Sequence, residues 1–193
     1  MSAVLEQIYE KTMTADEFFD SPFSKGFELV EGRVVPKEGG IESFMPTGAL
    51  HGAITEELAS RMSYFVRENN LGRIFAAETG FILSEGTVRG VDISFVGKEK
   101  IGEYGITEKF FPVAPDLAVE TISPGNSFDE IQSKIEEYLK AGTKLIWIVY
   151  PKQKMIHVHR QSNVINVLRE TDELDGEDVL PNFRLKLSEI FNH

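Results

Sequence analysis

Asp92, Glu120 and Lys134 are the residues through which this chain could do chemistry. The two acids sit inside short β-like runs, Val91-Asp92-Ile93-Ser94-Phe95-Val96 and Asp116-Leu117-Ala118-Val119-Glu120-Thr121-Ile122, and the lysine lies on a helix after the second run. Along a strand, residues i and i+2 share a face. Glu120 therefore shares its face with Ala118 and Ile122, and Asp92 alternates with Gly90 and Ser94, which leave space beside it. A third acid, Glu78, alternates with Ile74, Ala76, Gly80 and Ile82. An acid in such company is costly unless it is paired or binds a cation. Each one alone reads as a structural ion pair or strand-end residue. Three on successive strands, facing small or apolar neighbours, read as a divalent-metal site. Mg²⁺ is typically held by one or two carboxylates plus waters and substrate phosphates, and it can orient a phosphodiester, activate water and offset leaving-group charge.

The elements that must position these residues follow from periodicity and punctuation. Thr14 and Glu17 have capping-box spacing and open a short helix to about Asp20. Phe27 to Val35 reads as a hairpin turning at Glu31-Gly32, followed by a loop with Gly39, Gly40, Pro46 and Gly48. Ile54, Leu58, Met62 and Phe65 recur at helical spacing within residues 50–69. Strands are expected over Arg73 to Leu83, Val88 to Val96 and Asp116 to Ile122, with a loop over residues 97–115. Ser127 and Glu130 cap a helix running to about Lys140 and stopped by Gly142. On its wheel Ile131, Ile135, Tyr138 and Leu139 form the buried stripe, and Lys134 borders that stripe next to Tyr138, placed to reach back toward Glu120. The apolar run Leu145-Ile-Trp-Ile-Val marks a strand covered on both faces. Met155 to Arg160 and Val164 to Leu168 finish the sheet, and Leu187 to Phe191 forms a short last helix. The order is α/β with a mixed sheet.

Composition sets limits. With 193 residues the chain is most simply one domain. It has no cysteine, which excludes disulfides, zinc-thiolate sites and thiol nucleophiles. Met1 to Glu10 has neither the basic nor the apolar region of a signal peptide, and no apolar run is long enough for a transmembrane helix, so the expected location is cytoplasmic. A net charge of −11 argues against a protein that binds nucleic acid by bulk electrostatics. Part of that excess is local, in an acidic stretch from Glu170 to Asp178 that reads as a solvated loop. His51 reads as a helix-start histidine rather than a ligand. His157 and His159 share a strand face without a third ligand in view, and no Ser/His/Asp triad can be assigned.

Four motifs in order carry a resemblance: Gly90-Val-Asp92-Ile-Ser-Phe-Val, Ala114-Pro-Asp-Leu-Ala-Val-Glu120-Thr-Ile-Ser-Pro124, Lys134-Ile-Glu-Glu-Tyr138-Leu-Lys-Ala-Gly142 and Leu145-Ile-Trp-Ile-Val-Tyr-Pro151. From Thr14 to about Phe191 the chain resembles a large bacterial family, abundant in cyanobacteria, catalogued as putative restriction endonucleases within the PD-(D/E)XK nuclease superfamily. The resemblance implies a restriction-endonuclease-like core, a mixed central β-sheet flanked by helices, carrying an N-terminal hairpin extension. Residues 14–48 would be the extension, 49–168 the nuclease-like core, and 169–193 an acidic loop with a short helix, all in one domain. It also implies Asp92 and Glu120 as ligands for Mg²⁺ (or Mn²⁺) and DNA as substrate; Glu78 is added as a supporting acid on its strand pattern. Duplex-cutting nucleases of this fold often pair their active sites, so a homodimer is expected. The chain departs from the pattern twice. Val91 stands where proline is common, and Ile122 stands where the superfamily lysine falls, two residues after Glu120. Lys134 looks like the relocated substitute. The alternative function is a catalytically degenerate nuclease fold acting as a binding module, which Ile122 and the acidic charge favour. A two-carboxylate glycosidase is a third reading, weakened by the scarcity of aromatics around Asp92 and Glu120.

Overall fold

The computed structural model describes residues 12–24, 26–37, 48–162 and 164–192. The Met1 to Glu10 segment and the loop positions Gly39, Gly40 and Pro46 lie outside these. Helix α1 (Ala15–Phe19) is opened by the expected Thr14–Glu17 capping box, and strands β1 (Phe27–Val30) and β2 (Arg33–Pro36) form the expected hairpin. Helix α2 (Ala49–Glu68) buries Ile54, Leu58, Met62 and Val66. Then follow β3 (Gly72–Phe75), β4 (Thr79–Ser84), β5 (Thr87–Val91), β6 (Ile93–Gly97), α3 (Lys98–Tyr104) and β7 (Leu117–Thr121). Helix α4 (Phe128–Lys140), β8 (Leu145–Tyr150), β9 (Met155–Arg160), β10 (Asn166–Arg169), β11 (Glu173–Asp175), β12 (Arg184–Lys186) and α5 (Leu187–Ile190) complete the chain.

The strands divide between two principal sheets. A six-stranded sheet runs β10-β9-β8-β7-β6-β3, and a four-stranded one runs β2-β1-β5-β4. The larger sheet is mixed, because β7 and β8 are parallel while its other pairs are antiparallel. This is the α/β, helix-flanked mixed sheet anticipated from the motifs. Helix α4 is the crossover between the two parallel strands. Its Ile131, Ile135 and Tyr138 pack on Ala118, Ile146 and Ile148. Helix α2 covers the opposite face, with Ile54, Leu58 and Met62 against Ile93, Leu117, Val119 and Trp147. Strand β8 is therefore sandwiched, as its unbroken apolar run requires. A third cluster joins α1 to the smaller sheet through Phe18, Leu29, Val34 and Val88. Among the described residues no helix is long and apolar enough to cross a membrane.

Four sequence expectations need correction. The run Arg73 to Leu83 is two strands in different sheets, because Ala76 to Glu78 form a turn. The Thr79 amide and hydroxyl both donate to the Ala76 carbonyl, and Glu78 takes a φ of 72°. The run Val88 to Val96 likewise changes sheet at a single residue, Asp92. The acidic stretch is not a plain loop: Glu173 and Asp175 alternate with the buried Leu174 in a β11–β12 hairpin. There Arg184 lies 2.9 Å from Asp175. The expected loop of residues 97–115 contains helix α3, which buries no residue and so shows no apolar period.

Strand β9 gives a pH prediction. His159 is buried, its Nε2 has no hydrogen-bond partner among the described residues, and burial together with the nearby His157 and Arg160 charges pushes its pKa below 6.5. Burial alone does the same to His157. A depressed folded-state pKa means the unfolded chain binds more protons at mildly acid pH. Stability is then complete above about pH 6.5 and falls as the pH drops through that value. Denaturant melts between pH 7.5 and about 5 should show this decline, and His159→Phe should flatten it. Identical slopes in the two proteins would remove His159 from the effect.

Candidate active site

The site forms where β7 ends. Extending the Ile93–Val119 pairing of β6 and β7 by one residue sets Asp92 opposite Glu120. Asp92 is the residue at which the chain passes from one sheet to the other, and its Oδ2 accepts a 2.8 Å hydrogen bond from the Thr121 amide. Alternation then turns Glu120 toward α4 and Thr121 toward α2, where Thr55 Oγ1 donates to Thr121 Oγ1 at 3.0 Å.

Glu120 is buried, and two side chains one helical turn apart on α4 meet it. Tyr138 Oη donates to Glu120 Oε1 at 2.7 Å, and Lys134 Nζ lies 3.7 Å from Oε2. Lys134 is therefore inside the stripe rather than on its border, with only 8% of its surface exposed. Burial, with the Glu120 and Glu28 charges, holds the Tyr138 phenol well above its ordinary pKa, so it remains a proton donor toward Glu120.

Behind Lys134 stands a charge network that sequence reasoning missed. Lys134 Nζ is 3.9 Å from Glu28 Oε1 on β1, an oxygen that also accepts from the Gly90 amide at 3.1 Å. Arg89 Nη1 donates to Glu28 Oε2 at 2.7 Å, while its Nε and Nη2 grip both oxygens of Glu137. Burial alone would raise the Glu28 pKa. The Lys134 and Arg89 charges and the hydrogen bonds from Arg89 and Gly90 outweigh it and hold Glu28 ionised below the ordinary value. The hairpin of residues 27–36 is thus joined to the core, with Leu29 paired to Val88 and Glu28 at the back of the site. The alternation used for Glu120 sets Glu28 on one face with Gly26 and Val30, small and apolar company that would have flagged it. Nothing local to Arg89 would have supplied its partners.

His51, near the start of α2, has Nδ1 3.2 Å from Ser123 Oγ and Nε2 3.7 Å from Asp92 Oδ2. The Ser123 contact is that of a satisfied helix-start histidine, but the ring also faces the first acid. Glu78 is placed elsewhere: its side chain is 73% exposed in the β3–β4 turn and paired with Lys37. Among the described residues no group of three or more His, Cys, Asp or Glu could hold a metal ion, so the expected three-acid cluster is not assembled. Two carboxylates remain. Asp92 is a quarter exposed, and its contacts with Thr121 and His51 both fall on Oδ2. Hard oxygen donors of this number suit a Mg²⁺ that keeps several waters.

Residues 15–188 match the sequence model of the Uma2 family, described as a putative restriction endonuclease. The chain belongs to that family. A search among curated proteins returned no match. Among solved structures, the chain resembles a putative nuclease belonging to DUF820 from Anabaena variabilis. The TM-score is 0.79 and the identity 25%, over 93% of this chain and 98% of that one. The Uma2 match spans every element of the site, from the β1 acid Glu28 through Asp92 and Glu120 to Tyr138.

Proposed function

We propose that this protein is a Mg²⁺-dependent endonuclease that hydrolyses DNA phosphodiester bonds at the Asp92–Glu120–Lys134 site. One observation carries the reading above the others. Ile122 is packed with the apolar cluster under α4, where it can supply no charge, and Lys134 brings an ammonium to 3.7 Å from Glu120 from the helix instead. Asp92 and Glu120 would hold the Mg²⁺ (or Mn²⁺), which supplies a polarised phosphoryl oxygen and a readily ionised water.

The chain's own groups do the rest. The Thr121 amide fixes the Asp92 carboxylate, and the Tyr138 hydroxyl fixes Glu120, so neither acid must be ordered when substrate arrives. Lys134 Nζ donates to the attacking water and offsets charge developing on the phosphate. Glu28 orients that ammonium from behind, and Arg89 helps to keep Glu28 ionised. Ser123 sets the His51 ring, whose Nε2 faces Asp92. Cutting both strands of a duplex would pair two copies of the site in a homodimer.

A second reading has its own observation. With Ile122 inert and Lys134 shared between Glu28 and Glu120, a degenerate fold that only binds nucleic acid would look similar. Metal binding separates the two. A ligand that binds only the folded state stabilises it by about 1.4 kcal/mol at ten times its Kd, which is roughly 3–5 °C in Tm for a chain of this size. Wild type should show that rise in millimolar Mg²⁺ or Mn²⁺, and Asp92→Asn almost none. Equal shifts in the two proteins would rule out Asp92 as a ligand.

A further inference from the structure

A cavity of about 370 Å³ lies between the β1–β2 hairpin and α4, beside the site, with Glu28, Val35, Lys37, Arg89, Ser133 and Lys134 in its wall. Among the described residues three cations face it, and two of them are committed. Arg89 is held by Glu28 and by both oxygens of Glu137, and Lys134 serves Glu120 and Glu28. Lys37 differs. Its ammonium is turned in, with its side chain 21% exposed, yet its carboxylate partner Glu78 is 73% exposed on the β3–β4 turn. An ion pair with so solvated a partner stabilises little and exchanges readily.

The position of that ammonium is set by the chain. A Cβ on Gly90 would stand 3.1 Å from Lys37 Nζ, tighter than ordinary contact, so the absence of a side chain at 90 leaves the room it uses. Gly90 precedes Asp92 by two residues, and its amide shares Glu28 Oε1 with Lys134. Lys37 thus lies against Gly90 and Lys134 against Glu28, whose Oε1 the Gly90 amide also reaches, and Glu120 lies 3.7 Å beyond Lys134. In a chain of net charge −11, affinity for a polyanion has to come from such local cations.

Resting on the nuclease reading above, we propose that Lys37 is a substrate-binding residue that takes the backbone phosphate next to the scissile one. Glu78 occupies the ammonium until a strand arrives. A phosphodiester oxygen, brought in with the rest of the polyanion and its released counterions, displaces the solvated carboxylate. Glu78, an acid with the sequence signature of a metal ligand, acts in this scheme as a placeholder.

The test is binding rather than cleavage. Fluorescein-labelled short single-stranded and duplex DNA are titrated by anisotropy, without divalent metal, at several NaCl concentrations. The proteins are full-length Asp92→Asn, alone and combined with Lys37→Gln or Glu78→Gln. Lys37→Gln should weaken binding about tenfold, as expected for one charge-assisted hydrogen bond, and should lower the slope of log K against log[salt] by about 1. Glu78→Gln should tighten binding, which a merely structural Lys37–Glu78 clamp would not do. Unchanged affinity and slope in Lys37→Gln overturn the proposal. So does weakening by Glu78→Gln to the same extent, or no binding by any of the three. Loss of the nuclease reading would show separately, as wild-type protein that binds DNA through Lys37 but cuts none.

Discussion

Lys134→Ala is expected to lower Mg²⁺-dependent DNA cleavage by at least about 100-fold, the lower end for removing one preorganised electrostatic stabiliser. Ile122 cannot substitute, and Arg89 is bound on both sides to carboxylates. The substitution also leaves Glu120 and Glu28 without the ammonium between them, so a modest loss of stability accompanies it. The rate loss must therefore be read at a temperature where both proteins are folded. Lys134→Met, which keeps the aliphatic stem, should be as inactive as the alanine variant and closer to wild type in stability. Cleavage retained in either variant would remove Lys134 from the mechanism.

Arg89→Ala is expected to destabilise the fold by about 3–5 kcal/mol, the range for breaking a buried pair and stranding the other charge. Glu28, 2% exposed, would lose its directly hydrogen-bonded cation and keep the more distant Lys134 ammonium and the Gly90 amide. Replacing both members, Arg89→Met with Glu28→Gln, should recover most of the loss, because no buried charge is then left unpaired. Arg89→Lys should not rescue, since one ammonium cannot reproduce the forked contact with Glu137 and reach Glu28 as well. The folded-state pKa of Glu28 is held below 4.5, so its contribution is complete above that pH and lost as the pH falls further. Acid unfolding should accordingly be shallower in Glu28→Gln. Denaturant melts at pH 7 and at about pH 4 measure both effects. A double variant no more stable than Arg89→Ala would show that Arg89 acts through packing rather than charge.

What the sequence made legible was what local periodicity can carry. Glu120, on a strand whose other residues are apolar, and Lys134, one turn before a tyrosine on the buried stripe, declared themselves by spacing, and the structure brings them together. Glu78 misled because alternation was extended across a turn. The left-handed backbone there, with φ of 72°, ends the strand and throws the side chain into solvent. Asp92 showed as an acid in a β-like run, but not as the hinge between two sheets, since a bend of one residue leaves no compositional mark. The partners of His51 and of Glu28 were hidden for a different reason. They lie on other elements, Ser123 and Asp92 for the histidine and Arg89 and Lys134 for the acid. Only the packing of α2 on the larger sheet and the pairing of β1 with β5 bring such pairs within reach.

Cleavage of supercoiled plasmid and of short single- and double-stranded DNA, followed in time for wild type, Asp92→Ala and Glu120→Gln, tests the assignment most directly. With Mg²⁺ or Mn²⁺ present, wild type should nick or cut at least one of these substrates. Both variants should lose at least about 100-fold in rate while still unfolding cooperatively. Chelation of the metal should abolish the wild-type reaction. Cleavage that survives both substitutions, or no metal-dependent cleavage by wild type on any of these DNAs, would contradict hydrolysis at Asp92 and Glu120 and leave a nuclease fold that only binds.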